Sequence, residues 1–445
     1  MIELSTVSEV GNVGLSNKGD RATYLQTLLH LRVPLHESLA GLQVIRDRAT
    51  ARVQELAIPS TRDEAWRFAD LSPLLQADLQ PVDVHPTLGF PHIKPFIVPE
   101  AVSSRLVFVN GVYDSALSAV DGLPDGVLVS NLGTAAAFKD LSPHLAQQPG
   151  AEEVFTTLNT ASFTDGALVW VEKDQVIDKP IQILYVSTAT QPAISHPRCL
   201  IVAQLGSKLT LIEDFVALHE GVYFTNSVTE IVVADNAEVN HTRIQRDSSE
   251  AVHIGKTIAT QAQNSRYTCN AISFGGKLSR HNLEVYQTGE QTDTVLNGLT
   301  MITGNQVSDT HSAIAFTKPH STSRQIHKCI VDDHAHAIFN GKVLVPKAAQ
   351  LTNAGQLSKT LLLSPKARID TKPQLEIVAD NVKCAHGATV SQLDTDEVFY
   401  LQSRGIDEAS SRKLLTFAFA YEVIDQIPVT SLKAQLSAIA RSPQS

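Results

Sequence analysis

KLTLIEDFVAL (208–218), SVTEIVVA (227–234) and NLEVYQT (282–288) decide the fold. Each is a short run rich in Val, Ile, Leu, Phe and Thr, and small polar residues punctuate them, the signature of successive strands. RLVFVNGVY (105–113), GALVWVEK (166–173), IQILYVS (181–187) and CLIVAQL (199–205) read the same way. No helical pattern of ten or more residues alternates with these runs, which argues against a doubly wound or barrel α/β fold. Turn residues recur at Gly206-Ser207, Asn236, Asn264-Ser265, Gly289-Glu290 and Lys318-Pro319. Their interval, roughly 26 to 29 residues, lies in the range of solenoid repeats. A parallel β-helix accounts for this, because stacked coils merge their inward residues into one core. A β-sandwich is the alternative. In the β-helix, charged residues such as Arg243 and Arg246 are expected to point outward.

The flanks differ. Residues 1–99 read as a helical region and linker. Leu25, Leu28, Leu29 and Val33 repeat at helical spacing, as do Leu42, Ile45, Ala49, Val53 and Leu56, and Pro34 separates the two patterns. Thr61 and Glu64 have capping-box spacing for a short helix carrying Trp66, Phe68 and Leu71. Pro81, Pro86, Pro91, Pro95 and Pro99 then interrupt helix formation. The β-helix core is expected over 100–370. Residues 371–445 return to helices, with Asp407 as an N-cap. Leu414, Leu415, Phe417, Phe419 and Tyr421 make the following segment apolar on more than one face, so other protein must cover it. It is either a cap on the β-helix or a docking surface. Pro428 ends it, and Thr430 or Ser431 opens a last helix with Leu432, Leu436 and Ile439 on one stripe.

Composition narrows the function. The chain has 445 residues, 43% of them apolar and 18% charged, enough to bury a core. A formal net charge of −10 argues against nucleic acid as the main partner. No apolar run approaches the ~18 residues of a membrane span. The start, MIELSTVSEVGNVG, lacks a basic stretch followed by an apolar one, so no secretory signal is expected. Cys199, Cys269, Cys329 and Cys384 are too sparse for a disulfide framework and form no CxxC pair, consistent with thiols in a reducing cytoplasm. There is no GxxxxGK[ST], HExxH or GxSxG.

Two clusters of soft ligands stand out. HKCIVDDHAHAIFNGKV carries His327, Cys329, His334 and His336; residues two apart on a strand share a face, so each pair is able to converge. Such a set suits iron, zinc or copper, or is simply a strand face that happens to carry histidines. KCAHGA (383–388) places Cys384 and His386 two apart, a setting for iron or transient sulfur, or for a buried thiol beside a hydrogen-bonded imidazole.

EIVADNVKCAHGATVSQLDTDEVFYLQSRGI (376–406) resembles the C-terminal signature of the SufB/SufD family of iron–sulfur cluster assembly proteins. FNGKVLVPKAAQLTNAGQLSKTLLLSPKARIDTKPQLEI (339–377) and DEAWRFADLSPL (63–74) are similar to it as well. The CAHGATV form with FYLQSRGI is similar to the SufD branch. The resemblance implies a right-handed parallel β-helix with N- and C-terminal helical regions, and a non-catalytic scaffold subunit. It implies pairing with SufB and binding of the ATPase SufC through the C-terminal helices; it leaves open whether the isolated chain is a monomer or pairs its terminal strands as a homodimer. It further implies that His386, with Cys384 nearby, faces a cysteine of SufB at a transient iron or cluster site, with no cofactor held tightly by the isolated chain. No family role carries over to His334 or His336. The rival classes are a β-helix enzyme acting on acidic polysaccharide and a purely structural homo-oligomer.

Overall fold

The computed structural model describes residues 18–35, 37–83, 87–188 and 190–441. The stretch 1–14 and Pro86 lie outside the described residues. Two parallel sheets face each other, and the chain passes from one to the other at every half coil. One carries Arg198–Ala203, Tyr223–Val233, Val252–Gln261, Leu278–Gln287, Val307–Phe316, His336–Val345 and Arg368–Ile377 in that order. The other carries Ile181–Ser187, Lys208–Ala217, Glu238–Arg246, Arg266–Ser273, Asp293–Ile302, Thr322–Val331, Asn353–Leu362 and Lys383–Ser391. This is the parallel β-helix the repeat spacing predicts, and helices flank it at both ends of the chain.

The coils turn where single residues, most of them polar or glycine, adopt left-handed backbone. Asn236, Asn264, Gln291 and His320 have φ of 59°, 57°, 57° and 63°, stacked one per coil, with Gly206 at 67° before them. Asn tolerates this region better than most side chains, and Gly is indifferent to it. Asn264 Nδ2 donates to Asn236 Oδ1 at 3.2 Å, tying two successive corners.

Period-two alternation sends one set of side chains into the bore. Ile201, Ile231, Leu211, Val239, Val285 and Ile314 meet there. The bore is not purely apolar, and Arg243 corrects the sequence reading. It is 3% exposed and faces inward, its guanidinium 4.9 Å from the Phe215 ring centroid and its Nη2 2.8 Å from His253 Nε2. His253 in turn is 2.8 Å from Asp247 Oδ2, so the buried cation is compensated through the imidazole. Arg246 does face outward, where its Nε donates to Asp214 Oδ1 at 3.0 Å.

The N-terminal region packs on the outside of one sheet. Leu25, Leu28, Leu29 and Val53 join Phe224, Ile254 and Leu278. The Thr61–Glu64 capping box does not form. Glu64–Trp66 is a single 3-10 turn, Asp63 accepts from the Ser60 N–H, and a short helix spans Ser72–Leu75. Tertiary contact decides this segment: Trp66 lies under the Arg280 guanidinium at 3.9 Å, and Arg280 donates to the Ala65 carbonyl at 2.7 Å. Helix Glu408–Ile424, capped by Asp407 accepting from the Ser410 N–H, covers the other sheet with helix Thr430–Arg441. Val423, Ile424 and Leu432 bury against Ile244, Ile272 and Leu299. No helix among the described residues is long and apolar enough to cross a membrane.

Candidate functional site at the last coil

The last coil, strands Arg368–Ile377 and Lys383–Ser391, ends both sheets. Each strand pairs on one side only, with His336–Val345 and with Asn353–Leu362 respectively. Their outer edges leave backbone N–H and C=O groups available for another chain. Ile377, Val378 and Val390 are 40%, 64% and 50% exposed there.

Cys384 and His386 stand on this coil. Register places Cys384 beside Ala354 and His386 beside Gln356, both buried positions of the bore-facing set. The two residues therefore share one side of the strand, about 6.6 Å apart along it. Cys384 is half-buried against the interior cluster, whereas His386 is exposed because no further coil covers it. Burial raises the Cys384 thiol above its ordinary range, opposed by a backbone hydrogen bond from Ala354. The isolated chain thus keeps a protonated thiol at neutral pH, and binding of a metal ion there would release that proton. No group of three or more His, Cys, Asp or Glu among the described residues is able to hold a metal ion. Cys384 and His386 are two donors, short of the four that an iron–sulfur cluster normally takes.

The other soft-ligand cluster does not assemble. His327 and Cys329 share a face, but that face is the closed bore. His327 stacks on Phe339 at 4.4 Å and approaches Thr300 Oγ1 at 3.2 Å; burial pushes its imidazole down to about 3. Burial pushes the Cys329 thiol up to about 12. His336 sits on the outer face, 2.7 Å from Asp370 Oδ2, and His334 lies in the preceding turn. Chain direction separates these pairs, since the corner between 331 and 336 carries the backbone to the opposite sheet.

The five apolar residues of the C-terminal helix divide. Leu414 and Tyr421 are exposed; Leu415, Phe417 and Phe419 are half-buried. Arg441 lies 4.4 Å over the Phe417 ring, and Lys328 Nζ lies 4.2 Å over Phe419. Lys328 also donates to the Phe419 carbonyl at 2.8 Å and pairs with Glu422, pinning the helix to the solenoid.

Inside the bore lie charged groups that sequence reading missed. Glu213 and His241 are buried 3.3 Å apart, close enough for an ion pair; on the outer face, under helix Val154–Ser162, Arg198 pairs with Glu230. Burial alone would lower the His241 imidazole; hydrogen bonding and charge from Cys269 and Glu213 raise it to about 9. Ser227 Oγ, His253 and Asp247 line up at 3.0 and 2.8 Å like a nucleophile and its base. Arg243 also occupies His253 Nε2, and the adjoining void of about 20 Å³ holds about one water. These groups build the core. Only their alternation with apolar neighbours hinted at inward placement.

Comparison with known proteins agrees with this architecture. Residues 185–419 match the family described as "SUF system FeS cluster assembly, SufBD core domain", and residues 23–183 match the "SufBD protein N-terminal region". The chain belongs to the SufBD family. It is 44% identical over 402 residues to the iron-sulfur cluster assembly SufBD family protein slr0076 of Synechocystis, covering 88% of each chain. It is 34% identical to Protein ABCI7, chloroplastic, of Arabidopsis thaliana, over 92% of this chain and 89% of that one. Iron-sulfur cluster assembly protein SufD of Escherichia coli is 31% identical, over 88% of this chain and 91% of its own.

Proposed function

We propose that this chain is a non-catalytic scaffold subunit of a cytoplasmic Suf-type assembly complex, pairing end to end with a SufB-type β-helix and recruiting a SufC-type ATPase. The observation that carries the reading is the last coil, where two free sheet edges and uncovered apolar residues surround Cys384 and His386. In this reading His386, with Cys384 beside it, completes a transient iron or nascent-cluster site with a partner's thiolate. Imidazole in place of thiolate changes the charge of such a site and retunes it, which suits a cluster that must be released. The exposed side chains of helix Glu408–Ile424, Leu414 and Tyr421, together with Leu415, Phe417 and Phe419 behind them, form the SufC docking face. ATP hydrolysis falls to that partner, since this sequence carries no P-loop. Without its partner the same edges pair two copies of this chain as a homodimer.

The test is His386→Ala in a complex reconstituted from this chain, SufB and SufC. Iron content and cluster yield are expected to fall while the complex still assembles; unchanged values overturn the site. Truncation after Arg404 tests the second contact. A folded truncated solenoid that still co-purifies with SufC refutes the helical docking face.

A further inference from the structure

The bore-facing column that ends at His386 runs His241, Cys269, Leu296, Gln325, Gln356, His386, one residue per coil. Its last buried members form a directional amide ladder. Gln325 Nε2 donates to Ser312 Oγ at 2.7 Å, and Gln356 Nε2 donates to Gln325 Oε1 at 2.9 Å. Gln325 thus turns its N–H across the bore to the strand half a coil earlier and its carbonyl oxygen toward the following coil, and Gln356 turns its N–H back toward Gln325. The ladder stops at Gln356, which is 4% exposed and whose Oε1 is buried without a hydrogen-bond partner. A buried amide oxygen left unbonded is costly, so it marks a position built for a donor. The space is also built. A Cβ at Gly341, across the bore, would overlap the Gln356 amide, so glycine makes the room.

Two bore-facing residues of the last coil lie next in line. Pro373, aligned with Gly341, offers no donor. His386, aligned with Gln356, offers a ring N–H and is free to rotate because its side chain is exposed. We propose that Gln356 is the positioning residue of His386: its Oε1 accepts one ring N–H, fixes the tautomer, and leaves the other nitrogen's lone pair aimed out of the open end. A histidine that binds a metal is commonly oriented by such a bond from its second nitrogen. Ser312 and Gln325 hold Gln356 in the orientation that makes it an acceptor. This inference rests on the reading of His386 as a donor to the shared site, but the bond itself is a property of the isolated chain.

The experiment is ¹⁵N-histidine NMR of the full-length isolated chain, with the His386 signals assigned by their loss in His386→Gln. The wild type is expected to hold one tautomer at neutral pH. Gln356→Leu, which removes the acceptor, is expected to release it to a mixture of tautomers. Should Gln356→Leu fail to fold, Gln356→Met, closer in length and equally without an acceptor oxygen, carries the test. A single tautomer unchanged in every folded variant overturns the proposal. The two readings fail separately. A tautomer shift with normal cluster yield in His386→Ala sinks the shared site and keeps the positioning bond; a cluster defect without any tautomer shift does the reverse.

Discussion

Replacing Glu213 by Gln strips His241 of its counter-ion in the middle of the bore. Both residues are buried, and Cys269, Tyr267, Arg243, Cys199, Tyr185, His253 and His281 are the other titratable groups around them. The His241 imidazole, ordinarily near 6.5, stands at about 9 in the folded chain. At ~1.4 kcal/mol per unit, charging it inside the fold contributes ~3 kcal/mol. Against burial, which would raise it, the bond and charge of His241 hold the Glu213 carboxyl below its usual range. The sign follows from proton counting. Between pH 6.5 and 9 the folded chain holds a proton that the unfolded chain has released, so stability falls as pH rises. The contribution is complete below 6.5 and gone once pH has passed through 9. Urea unfolding followed by circular dichroism, at half-unit pH steps from 6 to 10, compares wild type with Glu213→Gln. The wild-type advantage should be ~3 kcal/mol or more at pH 6.5, since breaking a buried pair also strands a charge, and should shrink by ~3 kcal/mol by pH 10. An advantage that stays flat across this window refutes the idea that His241 is charged.

Further outcomes follow from the packing. Lys328→Met removes the donor to the Phe419 carbonyl and the partner of Glu422; hydrogen exchange over 408–441 should accelerate, with a loss of ~1–3 kcal/mol in local stability. Gly298→Ala drives a Cβ into the His327 ring and should cost ~1–3 kcal/mol, whereas Gly355→Ala meets nothing within 4 Å and should change the urea midpoint little. Alkylation of the native chain with iodoacetamide should modify Cys384 alone of the four cysteines, slowly at pH 7 and faster above pH 9; early modification of the buried Cys199, Cys269 or Cys329 would contradict the closed bore. Asp407→Ala should cost ~1 kcal/mol by loss of the N-cap, read as earlier melting of the C-terminal helices.

Much of this architecture is legible in the sequence because corners need special backbone. Asn236 and Asn264 fall at left-handed corners, while Gly289-Glu290 and Lys318-Pro319 precede theirs, Gln291 and His320, by one or two residues. Asp407 and Pro428 bound their helix through local chemistry alone. What depends on distant partners is not legible. Arg243 looks like a surface residue until His253, carried around the corner on the next strand, links it to Asp247, which supplies the counter-charge. Thr61 and Glu64 have the spacing of a capping box, yet Trp66 is claimed by Arg280, more than 200 residues away, and the segment tightens into a 3-10 turn. Parity likewise finds the shared face of Cys384 and His386 but cannot distinguish them from His327 and Cys329. Only the end of the coil stack leaves the first pair open and seals the second.

A stack of coils that stops without a lid also bears on how the protein must be made. Lys383, Arg368, Lys372 and Glu376 put charge along the bare rungs and discourage casual pairing, yet the rungs remain sticky. On the proposed pairing, synthesis of this chain has to keep pace with that of the partner that caps it, because surplus copies would have only one another to cling to.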